Sequence, residues 1–273
     1  MTILVPTDFS KLSKVAIQYA VRIGKKLKAT LILLSVVNLD SSPGRVAVNV
    51  KYLEDKMAEN AVEDFAKLIS EIRSENKGKI DITSHVMKGF PVEGVVINYA
   101  QHNDIDLIVM GTKGATGLKK ILLGSNAAAV IDKSRIPVIT VPEFARFTSL
   151  KNIVYATDIT NLKDELKTVV SFAKCFNAGI HILHIIPPTR ESKLDIKKTV
   201  AKLSKTMDYK KITFTVSLHD NAAKGIDEYV LKHKTDMLAM FTHKLTFFEK
   251  LFSKSITRKM AFLSHVPLLT FKK

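Results

Sequence analysis

Asp106-Leu-Ile-Val-Met110-Gly111-Thr-Lys113-Gly114-Ala-Thr-Gly-Leu-Lys-Lys-Ile-Leu-Leu-Gly124-Ser125-Asn126 is the stretch around which the chain is organised. The apolar run Leu107 to Met110 is short enough to be a fully buried strand. Gly111 and Gly114 follow at once, Gly124 and Ser125 come nine residues later, and Ala127 to Ile131 reads as the first turns of a helix. A strand that passes through glycines into a helix start suits a phosphate. Glycines let backbone N–H groups approach an anion closely, and the helix start adds unpaired donors and the positive end of a dipole. Ser125 and Asn126 add a hydroxyl and an amide where phosphate oxygens would lie. Taken alone, the glycines fit equally well a turn capped by Ser125.

Neither common phosphate fingerprint is present. The chain has no Gly-x4-Gly-Lys-Ser/Thr loop, and the spacing here is not Gly-x-Gly-x-x-Gly.

Working outward, Ile3 to Pro6 reads as a first strand, followed by the turn Thr7-Asp8-Phe9-Ser10. A helix follows, with apolar residues at Leu12, Val15, Ala16, Tyr19, Ala20 and Ile23, ended by Gly24 and the lysines after it. Leu31–Val37 is a second strand, Tyr52–Ile72 a long helix, Ile80–Met87 a third strand and Val92–Gln101 a third helix. Leu107–Met110, a helix from near Ser125 and the strand Pro137–Val141 complete the set. Strands and helices alternating at these lengths call for an α/β fold, a parallel sheet with helices on both faces.

The pattern then restarts. Ile3-Leu-Val-Pro-Thr-Asp8-Phe-Ser10 returns as Ile153-Val-Tyr-Ala-Thr-Asp158-Ile-Thr160, and strand 2 returns as Ile180 to Ile186. Asp106 to Met110 returns as Asp236 to Met240, and Ile136 to Thr140 as Val266 to Thr270. The offset falls from 150 to 130, so the second copy lost about 20 residues, after strand 2 or within the long helix. The expectation is two tandem doubly wound domains, 1–143 and 149–273, joined through Pro142 to Leu150. In a five-stranded parallel sheet of order 3-2-1-4-5, ligands sit beyond the carboxyl ends of the strands where the order reverses. Asp8, Val36 and Gly111 then face one crevice. A carboxylate only accepts hydrogen bonds, so Asp8 suits ribose hydroxyls; its other reading is the cap of helix 1, for which Ser10 competes.

The Gly-x2-Gly-x9-Gly-Ser spacing resembles the nucleotide loop of the universal stress protein family, and the repeat extends that resemblance over essentially the whole chain. The resemblance implies an adenine nucleotide alpha-hydrolase-like fold and a site for ATP or AMP, with Mg²⁺ accompanying ATP. It implies that Pro6, Thr7 and Asp8 contact the nucleoside and that Val36 lies by adenine. It assigns ribose and phosphates to Met110, Gly111, Lys113, Gly114, Gly124, Ser125 and Asn126. Where many relatives carry a further Ser or Thr after the Gly-Ser pair, this chain has Asn126 and Ala127. It also implies association through strand 5, which within one chain would pair Val138–Val141 with Leu268–Phe271 and protect two edges at once. Further dimerisation of the tandem chain stays open.

The second copy departs from the motif. Phe241, Lys244 and Lys254 stand at the three glycine positions, and a side chain at each would block close backbone approach to phosphate. The second domain is therefore not expected to bind nucleotide in the family's way, and Asp158 is read as a helix cap.

Composition sets the outer limits. A hydrophobic content of 46% excludes a disordered chain, and the apolar runs are too short to span a bilayer. The N-terminus shows no secretory signal, and the one cysteine, Cys175, cannot form an internal disulfide; both fit a cytoplasmic protein. Cys175, among Phe172, Ala173 and Phe176, is read as a small core residue. Of the net charge of +16, residues 1–147 carry +5 and residues 148–273 carry +11. The basic residues are scattered and lack interleaved aromatics, which argues against nucleic acid and for a solvated surface. His181 and His184 lie three apart on a strand and point to opposite faces, so they do not chelate jointly. His243 is the one histidine in the altered loop. No nucleophile–base set and no carboxylate pair stands out, so the site residues are binding and not catalytic. The expected function is a cytoplasmic, nucleotide-dependent stress sensor or adaptor; slow ATP hydrolysis also occurs in the family. The alternative is a nucleotide-independent adaptor whose basic second domain docks an acidic partner or another anionic ligand.

Overall fold

The computed structural model describes residues 1–37, 50–77, 80–112, 123–147, 149–189, 195–242 and 265–272. These divide into two compact units, one carrying the described residues within 1–112 and 124–141, and the other Leu123 with the described residues within 142–272.

In the first unit the chain runs β1 (Thr2–Pro6), α1 (Lys11–Leu27), β2 (Thr30–Val37), α2 (Val50–Glu75), β3 (Ile82–Lys88), α3 (Val92–His102), β4 (Leu107–Gly111), α4 (Ser125–Lys133) and β5 (Val138–Val141). Its strands are all parallel in the order β3-β2-β1-β4-β5. The order read from the sequence holds, with β1 and β4 side by side at the reversal. Ile3, Leu4 and Val5 of β1 and Ile108 and Val109 of β4 are wholly buried, as a sheet covered on both faces requires.

The second unit repeats this with β6 (Asn152–Ala156), α5 (Leu162–Phe176), β7 (Gly179–Ile186), α6 (Ile196–Met207), β8 (Ile212–Leu218), α7 (Ala222–Lys232), β9 (Met237–Thr242) and β10 (Leu268–Lys272). Its parallel order is β8-β7-β6-β9-β10, and its core gathers Val154, Leu183, Ile226, Val230, Leu238 and Leu268. The shortening falls where the repeat offset put it, since α6 has 12 residues against 26 in α2.

Carboxylates tie strand entries together at equivalent points. Asp106 Oδ2 accepts from Thr2 N at 2.7 Å, and Asp236 Oδ2 accepts from Lys151 N and Asn152 N at 2.8 Å each. Each anchors the start of its unit's first strand beside the strand that ends at the candidate site. Repetition of the device, beyond the repetition of apolar runs, marks the units as copies.

Three local expectations need correction. Gly24 does not end α1, which continues to Leu27 and closes on Lys28 in the left-handed region, with Ala29 N donating to Gly24 O at 2.9 Å. Gly24 serves close packing instead, because a Cβ there would lie 3.1 Å from Leu31 Cδ2 of β2. Cys175 is exposed, not buried. The core stripe of α5 is Leu166, Val169, Val170 and Ala173, which turns Cys175 outward, its thiol directed at Ser171 O. Asp158 is not the cap of α5, a position held by Asn161.

Gly89, between β3 and α3, has a φ of +154°, and a Cβ there would meet Val95 Cγ2 at 2.7 Å. Gly89→Ala is therefore expected to destabilise the first unit by about 1–3 kcal/mol through strain and overpacking together, measurable as a lower denaturant midpoint.

Candidate functional site

Register brings the strand ends level. Pro6 pairs with Leu34, Leu4 with Ile108 and Gly111 with Val141, so β1, β2, β4 and β5 finish on one side of the sheet. Val36, half-buried at the end of β2, stands opposite Met87.

Beyond β1 the chain makes a tight turn. Thr7 N donates to Leu34 O at 2.8 Å, extending the β1–β2 ladder by one residue. Thr7 Oγ1 accepts from Phe9 N at 3.1 Å and donates to Ser13 Oγ at 3.0 Å. Phe9 takes a φ of +59°, which reverses the chain, and its ring packs edge-on against Phe65 of α2 with centroids 4.9 Å apart. Ser10 is the N-cap of α1, its hydroxyl accepting from Ser13 N at 3.2 Å. Asp8 is thereby relieved of capping: it is exposed, with Oδ1 accepting from Ser10 N at 3.1 Å. The buried Thr7 side chain is committed to holding the turn, which leaves Asp8 as the displayed polar group. Ser10→Ala should cost about 1 kcal/mol of stability through loss of the cap, seen as a lower melting temperature.

Beyond β4, Met110 is buried and Gly111 is half-buried. Thr112 N donates to Val141 O at 3.1 Å, and Gly124 N donates to Thr112 O. That second bond joins the residues on either side of segment 113–122 and so brings the start of α4 to the end of β4. Gly124 is the N-cap of α4 and supplies no side-chain cap, while the first turn contains no acidic residue. Ser125 and Asn126 are exposed there. Helix starts leave backbone N–H groups without intrahelical partners, so an uncapped start with no acidic residue in its own first turn suits an anion.

Pro6, Thr7, Asp8, Val36, Met110, Gly111, Gly124, Ser125 and Asn126 thus all stand at the carboxyl ends of one sheet. Lys113 and Gly114 lie outside the described residues. Sequence reading missed Ser13 and Phe65, which hold the Thr7–Phe9 turn from α1 and α2. A serine three residues after a capping serine was the one available signal for Ser13, and Phe65 has the periodicity of any core residue.

The second unit keeps the turn and changes what surrounds it. Thr157 N donates to Leu183 O at 3.0 Å, Ile159 N to Thr157 Oγ1 at 3.0 Å and Thr160 N to Asp158 Oδ1 at 2.9 Å, with Ile159 at φ +65°. At the end of β9, where β4 has Gly111, stands buried Phe241. Its ring stacks on Phe271 with centroids 5.0 Å apart and meets Tyr155 edge-on at 6.1 Å. Tyr155 is fully buried and its hydroxyl donates to the carboxylate of buried Glu165. Burial, reinforced by that hydrogen bond, pushes the Tyr155 hydroxyl well above the ordinary tyrosine range. His184 Nδ1 lies 2.9 Å from Thr157 O, and His181 Nδ1 lies 2.7 Å from Thr213 Oγ1; burial, with His233 nearby, pushes His181 below the usual histidine range. His243, Lys244 and Lys254 lie outside the described residues. No group of three metal-ligating side chains occurs among the described residues.

The family model of the universal stress proteins matches residues 1–142 and again 149–272. Two universal stress proteins of Methanocaldococcus jannaschii, MJ0531 and MJ0577, are each 32% identical to this chain. The first aligns over 139 residues, 51% of this chain and 80% of its own, and the second over 158 residues, 51% and 93%. The crystal structure of a universal stress protein from Archaeoglobus fulgidus covers 99% of this chain and 98% of its own with a TM-score of 0.76; at 19% identity that likeness is one of fold. Two matches to the family model, together spanning nearly the whole sequence, settle the family: this chain belongs to the universal stress proteins and carries two copies of their domain.

Proposed function

We propose that the first unit binds an adenine nucleotide, ATP or AMP, and that the protein acts as a nucleotide-dependent sensor or adaptor. What supports this reading is that Asp8 follows the end of β1 while the uncapped start of α4 is tied to the end of the adjacent β4. In this reading the Asp8 carboxylate, which when ionised only accepts hydrogen bonds, accepts from ribose hydroxyls. Backbone N–H groups at Ser125 and Asn126 and the Ser125 hydroxyl donate to phosphate oxygens, where the helix dipole favours negative charge. Val36 offers an apolar side chain to the base. Mg²⁺ would enter with ATP, neutralising phosphate charge. The reading includes no catalytic residue.

The second unit, with Phe241 packed where the first has a glycine, is proposed to bind no nucleotide. Two further parts of the proposal concern the chain as a whole. Pairing of Val138–Val141 with Leu268–Phe271 in one molecule is supported by each stretch being the last strand in its own unit's order. A cytoplasmic setting is supported by the single cysteine; no helix among the described residues is long and apolar enough to cross a membrane.

The test is a thermal melt with and without saturating ATP or AMP. A ligand present at 100 times its Kd stabilises by about 2.7 kcal/mol, enough for a clear upward shift. The shift is expected for the native chain and absent in Gly114→Val. No shift with either nucleotide, at any concentration up to millimolar, contradicts the reading.

A further inference from the structure

α2 and α6 are the equivalent helices of the two repeats. Each follows the second strand of its unit and leads into the third, against which it packs. Their charges are opposite. α2 carries seven acidic residues and four basic ones, whereas α6 carries four lysines and no acid.

The contrast is sharpest on one flank. α2 buries Ala61, Phe65 and Ile72, and α6 buries Leu203 and Met207. At 3.6 residues per turn, Asp64 and Glu71 lie about 100–120° to one side of Phe65, with exposed Lys67 at the outer edge of that flank, about 160° round. On the same flank sit Leu53 and Met57, which are 49% and 40% exposed despite being apolar. On the corresponding side of Leu203, at about 100–160°, lie Lys198, Lys202 and Lys205. Asp64, Glu71 and these three lysines are exposed, and among the described residues none of the five has an ion-pair partner. The ion pairs of α2, Lys56 with Glu59 and Asp55 with Lys88, leave this flank unused.

The spacing also matches. Asp64 and Glu71 are seven residues apart, as are Lys198 and Lys205. Seven residues rise about 10.5 Å along a helix, so two helices laid side by side bring both pairs together at once. The aliphatic stems of the lysines would then cover Leu53 and Met57.

We propose that the Lys198–Lys202–Lys205 face of α6 docks on the Asp64–Glu71 face of α2 in a second copy of this chain. The inference goes beyond nucleotide binding and does not depend on it. A net charge of +16 opposes self-association at long range. At physiological ionic strength that repulsion is screened beyond about 8 Å, whereas pairs in direct contact keep their attraction. Charge complementarity of this kind fixes register and partner choice more than it adds affinity, so the association is a weak one.

Sedimentation equilibrium of the full chain at physiological salt, over a wide concentration range, tests the proposal. Four proteins are compared: the native chain, K198E/K202E/K205E, D64K/E71K, and the chain with all five changes, each checked for native circular dichroism. The native chain is expected to exceed the mass of one chain as concentration rises. Either reversed set should weaken association by about tenfold or more, and combining them should restore it, because each reversal turns attraction into repulsion. A native chain that stays monomeric throughout would overturn the proposal, including the case in which the lysine face instead binds duplex DNA or anionic vesicles. So would reversed sets that associate like the native chain, which would place the contact on another surface, or a five-change chain that stays apart.

Discussion

Asp8→Ala is expected to weaken ATP and AMP binding about 10- to 100-fold, the equivalent of about 1.5–3 kcal/mol for hydrogen bonds to a charged group. The turn should survive the change. Thr7 holds it through Phe9 and Ser13, and Ser10 caps α1, so the Asp8 carboxylate is not the turn's main support. Circular dichroism and the unliganded melting temperature should stay close to native while the Kd rises. A fall in stability of several kcal/mol would show instead that Asp8 serves the fold. The same substitution at Asp158 provides the contrast, since its backbone turn is nearly identical. Asp158→Ala should leave nucleotide affinity unchanged, because Phe241 occupies the neighbouring strand end.

The second large effect concerns the interior of the second unit. Tyr155→Phe removes the hydroxyl that donates to Glu165 and leaves a buried carboxylate short of a donor. The expected cost is about 1–3 kcal/mol, the desolvation penalty of an undersatisfied polar group. Tyr155→Phe combined with Glu165→Leu should cost less than Tyr155→Phe alone, since replacing both partners of a buried polar pair by apolar groups is often close to neutral. Chemical denaturation of the native chain, Tyr155→Phe and the double variant measures both values, and a double variant less stable than Tyr155→Phe would refute the pairing. The pair also fixes a pH dependence. The folded Tyr155 hydroxyl titrates above its unfolded value of about 10, so its contribution is complete below that pH and declines as pH rises past it. The native chain should therefore lose stability above about pH 10 more steeply than Tyr155→Phe does.

Much of this was legible in the sequence because periodicity and repetition are long-range signals. Strand 1, strand 4 and the Thr-Asp turn each occur twice, so the order of elements along the chain followed from the pattern, while the reversal between β1 and β4 was the expectation for a doubly wound sheet of order 3-2-1-4-5. Gly124 and Ser125 likewise marked where α4 begins, read as near Ser125 and found at Ser125. Errors came where a local rule met packing. Gly24 reads as a helix stop, yet α1 runs through it because β2 needs the space a side chain would take. Cys175 reads as core by its neighbours, but the helical stripe turns it outward. The Tyr155–Glu165 pair was invisible, since a glutamate in the first turn of a helix ordinarily faces water and nothing in the spacing shows that this one meets a tyrosine beneath it. The replacement of Gly111 by Phe241 could be read directly; that the ring packs between Tyr155 and Phe271 required the structure.

The most direct measurement is a calorimetric titration of the full chain with ATP and with AMP, in the presence and absence of Mg²⁺. One site per chain is predicted, lost in Gly114→Val and weakened in Asp8→Ala, which would locate binding in the first unit. Two sites per chain would show that the second unit binds despite Phe241, and no binding with either nucleotide would contradict the account at its centre.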